Sequence, residues 1–108
     1  MSPPTERRFE PRFPSNGRGV LVAPGFEMSC VIADESAAGL KVRLDRALTL
    51  PRAVVVVDVA QGVAIEAEVA WAKGQEAGLK RTGQSSLRGL VPARLAQARD
   101  AWIRAGGR

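Results

Sequence analysis

A chain of 108 residues with 45% apolar and 25% charged side chains has room for one compact domain and for no second. It contains no His and one Cys, which removes most acid–base chemistry run near neutral pH, any internal disulfide and any cysteine metal cage. A core this small withdraws only about 60–70% of the unfolded chain's surface from water, so no large catalytic cleft is expected. Binding is favoured over chemistry, with no catalytic residue, metal or cofactor expected. The formal charge of +5 is uneven: residues 1–20 carry +2 and residues 79–108 carry +6, leaving −3 between them. Basic ends around an acidic middle point to an anionic partner met by the termini, or to a solvated tail built from Arg94, Arg99, Arg104 and Arg108.

The first element is an irregular arm over residues 1–19, broken by Pro3, Pro4, Pro11 and Pro14 and with Phe9 and Phe13 as the large apolar side chains beyond Met1. It lacks the apolar run of a signal peptide. The longest apolar stretch, Ala53–Val57, falls far short of the ~20 residues that a spanning helix requires, so no membrane span is expected. A soluble chain in the reducing cytoplasm fits the single unpaired thiol.

Six strands are expected over residues 20–82. A short one at Val20–Val22 precedes the turn Pro24-Gly25. Phe26, Met28, Cys30 and Ile32 then alternate with more polar neighbours, and Leu40, Val42 and Leu44 alternate with Lys41, Arg43 and Asp45. The β-branched run from Val54 to Val57, continuing to Val59, ends at Gln61-Gly62. Val63, Ile65, Ala67, Val69 and Trp71 follow with period two, which outlines an antiparallel hairpin. A turn at 73–76 leads to a last strand near Ala77–Thr82. Short, evenly spaced strands in a small domain close best into an all-β, six-stranded antiparallel barrel, because closure removes exposed edges.

After a loop at 82–89 the period lengthens. Val91, Leu95, Ala98 and Trp102 share one side of a helix over residues 91–104 that ends at Gly106-Gly107 and is placed to cover a mouth of the barrel. Trp102 is expected to dock that helix, and Cys30 to be a buried small hydrophobe. Trp71, on the apolar face of its strand, is assigned to the core, with ligand stacking as the alternative. Glu66 and Glu68 share a polar strand face, but nothing beside them makes a catalytic pair.

Two constellations carry the functional reading. Arg8 and Arg12 lie four apart in Arg8-Phe9-Glu10-Pro11-Arg12, a segment that Pro11 and Pro14 keep from being helical. An extended step of that length spans roughly 13 Å, so the two planar guanidiniums can wrap an anionic ligand. Asp34-Glu35-Ser36-Ala37-Ala38-Gly39 joins the two clearest strands. As a turn it is ordinary, with Asp34 and Ser36 bonding nearby backbone and Gly39 supplying a positive φ. As a site, Asp34 accepts the N1 and N2 protons of a guanine, and the Ser36 hydroxyl with nearby amides takes a phosphate or ring edge.

Together these segments resemble the PilZ domain family, whose signature is RxxxR in an N-terminal arm followed by [DN]xSxxG at a strand junction. The resemblance spans nearly the whole chain. It implies a six-stranded antiparallel barrel with a C-terminal α-helix in a single domain over residues 1–108. It further implies a non-enzymatic bacterial receptor for the second messenger cyclic di-GMP, held by Arg8, Arg12, Asp34, Ser36 and Gly39. Arg7, a third guanidinium, favours a ligand bound as an intercalated dimer. With no output domain expected, the signal must pass to an unidentified partner protein. The alternatives are a PilZ-like adaptor that binds no nucleotide, and a small basic nucleic-acid-binding barrel. The shortage of free aromatic platforms argues against the last.

Overall fold

The computed structural model describes residues 13–107, with side chains from Gly17 onward. Six strands, β1 (Phe13–Ala23), β2 (Phe26–Glu35), β3 (Gly39–Leu44), β4 (Ala53–Asp58), β5 (Val63–Lys73) and β6 (Glu76–Ser86), are followed by a single 3₁₀ turn at Ala93–Leu95 and helix α1 (Ala96–Arg104). All pairings are antiparallel and close in the order β1-β2-β3-β6-β5-β4. The barrel shuts where Gly19–Val22 of β1 pairs with Asp58–Val55 of β4. Pro24-Gly25 makes the first hairpin tight: Pro presets its own φ, and Gly25 takes φ +74°, which a side chain would oppose.

The alternation in the sequence becomes the barrel's interior. Leu21, Met28, Cys30, Ile32, Leu40, Val42, Leu44, Val54, Val56, Ile65, Ala67, Ala77 and Leu79 fill it, each buried. A second core lies outside the barrel wall, where Val22, Val57 and Ala64 meet Leu87, Leu95, Ala98, Ala101 and Trp102. The unbroken valine run of β4 thus has two buried faces, Val54 and Val56 turned inward and Val57 outward under the helix. α1 therefore packs against the flank formed by β1 and β4 and does not cover a mouth. Its anchors are Trp102, whose indole Nε1 donates to the Val59 carbonyl at 2.9 Å, and Gln97, whose amide reaches the Ala23 carbonyl at 3.1 Å. Arg104 adds an ion pair to Glu27 at the solvent edge.

Three boundaries differ from those read in the sequence. β1 starts at Phe13 instead of Val20, because the register shift between Pro14 and Gly17 accommodates a proline that has no amide proton to give. β6 continues to Ser86 through the polar stretch 82–86, held by backbone pairing to Val63–Glu66 and not by an apolar face. The helical region splits, with Pro92 standing before the 3₁₀ turn and α1 beginning only at Ala96.

Cys30 lies in the interior as expected. Burial, aided by the nearby Asp45 carboxylate, pushes its thiol up to about 12 from 9.0. A raised folded-state value means that stability is fully retained below the unfolded thiol's value and declines as pH rises, because only the unfolded chain gains by ionising. Denaturant titrations from pH 8 to 11 should therefore show a fall above pH 9 with a slope of up to about 1.4 kcal/mol per unit. Cys30→Ala should lack this thiol-dependent part of the slope, and an identical slope in both proteins would refute the assignment.

Candidate functional site

Strict alternation along β2 would send Asp34 into the core behind Cys30 and Ile32. The register with β3 shifts between Ile32 and Asp34, so Ile32 faces Val42 inside while Asp34 is paired with Lys41. Lys41 lies between the buried Leu40 and Val42 and therefore faces outward, and Asp34 shares that outer face. A second shift, between Val69 and Trp71, does the same on β5. Val69 is paired with Leu79, whereas Trp71 is paired with Gly78, which lies between two inward residues. Trp71 is accordingly 45% exposed and is not a core residue, which corrects its assignment from periodicity.

These shifts align a row across four strands: Asp34 on β2, Lys41 on β3, Gly78 on β6 and Trp71 on β5. The row makes a carboxylate, an ammonium and an aromatic ring neighbours on the outer wall. Gly78 is essential to its shape, because a Cβ there would overlap the indole Nε1. The indole sits against this glycine, and the residue as a whole stays half exposed. A depression of about 260 Å3 on this wall is lined by Ser36, Gly39, Lys41, Trp71, Gly78 and Lys80, among others.

The connection between β2 and β3 borders this depression. Both the amide and the hydroxyl of Ser36 donate to the Gly39 carbonyl, at 2.8 and 3.5 Å, and Ser36 is 8% exposed. The serine thus closes its own loop. Gly39 is not among the glycines with positive φ. Glycine is required there because a Cβ would collide with the Leu79 carbonyl of the adjacent β6. Close approach of two strands, and not a left-handed backbone, is the reason for this residue. Arg81 supports the loop from β6: its amide donates to the Ala38 carbonyl at 2.9 Å, its Nη2 to the Ser36 carbonyl at 3.3 Å, and its Nη1 to Gln84.

Asp34, Ser36 and Gly39 are therefore brought together at one rim, while Arg7, Arg8 and Arg12 lie outside the described residues. The chain enters the barrel at this rim, since Phe13 is paired with Glu35 and Pro14 with Asp34. Sequence reasoning missed Lys41, Lys80 and Arg81 and misplaced Trp71. One signal was available: counting back from the two-residue turn Gly74-Gln75 sets Trp71 opposite Gly78, and a glycine facing an aromatic marks a ring lying on the sheet.

A cleft of about 400 Å3 elsewhere, between the helix and the ends of β1 and β4, contains Glu66, Arg94 and Gln97. Three of its polar groups are already engaged, Arg94 with Glu66 at 3.0 Å and Gln97 with strand backbone. Among the described residues, no group of three His, Cys, Asp or Glu side chains is placed to hold a metal, and no helix is long and apolar enough to cross a membrane.

A closed barrel that fills its interior with aliphatic side chains and gathers chemically diverse ones on its outer wall belongs to the class of small β modules with an external site. The family model described as PilZ domain matches residues 6–91, and the chain belongs to that family. No curated protein and no solved structure matches the chain.

Gly78→Ala tests the row directly. The added methyl should lift the Trp71 ring and shift its fluorescence, read in a Trp102→Phe background, while far-ultraviolet circular dichroism stays that of the barrel. Unchanged emission would mean that the ring does not rest on Gly78.

Proposed function

We propose that this protein is a non-enzymatic receptor for cyclic di-GMP that acts in the bacterial cytoplasm by presenting a ligand-dependent surface to another protein. One observation carries the reading: Phe13 is paired with Glu35 and Pro14 with Asp34, so the residue that follows Arg12 in the sequence lies at the rim that bears Asp34 and the outward row ending at Trp71. Arg12 is bonded to Phe13, and Arg8 precedes Phe13 by five residues, a reach of at most about 18 Å at the ~3.6 Å per residue of a fully extended chain.

The chemistry of the ligand matches this set. Cyclic di-GMP carries two negative phosphates and two guanines. The arginines supply planar forks for phosphate oxygens, or for the O6/N7 edge of guanine. Asp34 accepts from N1 and N2, donors that adenine does not present together to a carboxylate. Trp71 offers a stacking face, and Lys41 and Lys80 add positive charge around it. Arg7 provides a third guanidinium for a ligand bound as an intercalated pair.

Titration calorimetry tests this with cyclic di-GMP, and with cyclic di-AMP as control. Arg8→Ala, Arg12→Ala and Asp34→Ala should each weaken cyclic di-GMP binding by about 10- to 100-fold, the range for a charge-assisted hydrogen bond. Trp71→Ala should cost at least about 5-fold through lost stacking. Two ligands per chain, falling to one in Arg7→Ala, identify the paired form. Equal binding by all variants, or none by the wild type, would sink the receptor reading.

A further inference from the structure

The loop between Asp34 and Gly39 is held partly by a residue that lies far from it in sequence. Arg81 grips two of its carbonyls, Ser36 through Nη2 at 3.3 Å and Ala38 through its own amide at 2.9 Å. Its register partner on β5 is Ala67, a core residue, so the side chain approaches the loop from the interior side of the wall. Gln84 takes Nη1, which directs the guanidinium fork.

The consequence follows from the planarity of the peptide bond. In a trans peptide the carbonyl and the next amide proton point in opposite directions, and the described chain contains no cis peptide. A Ser36 carbonyl turned toward Arg81 therefore turns the Ala37 N–H away from it. Ala37 is an exposed residue, and its N–H lies on the side of the peptide plane opposite Arg81. A backbone donor fixed in this way is suited to an anionic oxygen.

The geometry points to Arg81 as a positioning residue that fixes the Ala37 amide as a phosphate-oxygen donor. For its ligand this rests on the cyclic di-GMP reading, and it goes beyond that reading by assigning a role to a residue outside both motifs. Arg81 does not touch the ligand. It supplies loop order in advance, so the cost of orienting the amide is not met during binding.

The experiment follows the Ala37 amide in nitrogen–proton correlation spectra while inorganic phosphate, and separately cyclic di-GMP, is added to the wild type, Arg81→Met, Arg81→Lys and Ala37→Pro. The wild-type Ala37 signal should move with both titrants. In Arg81→Met that movement should be lost and cyclic di-GMP affinity should fall about 10-fold. Arg81→Lys, which keeps a cationic donor, should restore part of both. Ala37→Pro removes the proton while leaving Arg81 in place, and should weaken cyclic di-GMP about as much as Arg81→Met. If Arg81→Met fails to fold, Ala37→Pro and Arg81→Lys decide the matter alone.

A wild-type Ala37 signal that phosphate leaves unmoved, an Arg81→Met signal that moves as in wild type, or wild-type affinity in Ala37→Pro overturns the assignment. If the wild type ignores cyclic di-GMP but its Ala37 amide answers phosphate in an Arg81-dependent way, the receptor reading falls while the positioning role stands.

Discussion

The outer site depends on two interruptions of strand alternation. Side chains on a strand alternate between faces, so one extra residue exchanges inside for outside over everything that follows. On β2 the exchange falls between Ile32 and Asp34, and on β5 between Val69 and Trp71. Without the first, a carboxylate would be driven into an aliphatic interior, at a cost of several kcal/mol or a shift to its neutral form. Without the second, pairing continued from Val69 and Leu79 would set Trp71 opposite the buried Ala77, with its ring turned inward. The shifts spare the core and place both groups on the same outer wall.

The sealed interior leaves the outer wall as the place for a ligand. Thirteen residues already occupy the barrel's centre, and close-packed interiors leave little room beyond the size of a water molecule. A ligand of any size cannot enter without displacing that core. The outer wall offers flat ground, and glycines let a ligand or a neighbouring group approach the sheet. Gly78 admits the Trp71 ring, and Gly39 admits the backbone of β6. On the opposite flank the wall is taken by α1, where Val57 and Ala64 are covered by Trp102 and its neighbours. Helix and site thus divide the outer surface between them.

Much of this was legible in the sequence, and the parts that were not share a cause. Period-two runs gave β2, β3 and β5, because one buried face leaves a pattern in composition. The valine run gave β4 without revealing that both of its faces are buried. Asp34, Ser36 and Gly39 were found as a motif, but the reason for Gly39 was misread, since a collision with Leu79 arises only once β6 lies beside β3. Residues 82–86 looked like a loop because strand pairing there is a backbone matter with no apolar trace. Trp71 was lost to the core because the shift before it changes no residue type. Arg81 had no local signal, since its partners at Ser36 and Ala38 are more than forty positions away.

The proposed receptor has to pass a signal on, and the packing of the barrel limits how it can do so. A core as tightly filled as this one resists small displacements, so binding on the wall is a poor means of reshaping the barrel. For the receptor proposed above, the segment that precedes Phe13 in the sequence is the better candidate for a transmitter. If its arginines close on a ligand held against Asp34 and Trp71, the product is a composite surface made of segment, ligand and wall, present only when all three meet. A partner that reads such a surface responds to the ligand without any change in the fold. Its discrimination rests on the differential contacts of that composite, the quantity that any ligand-driven switch requires.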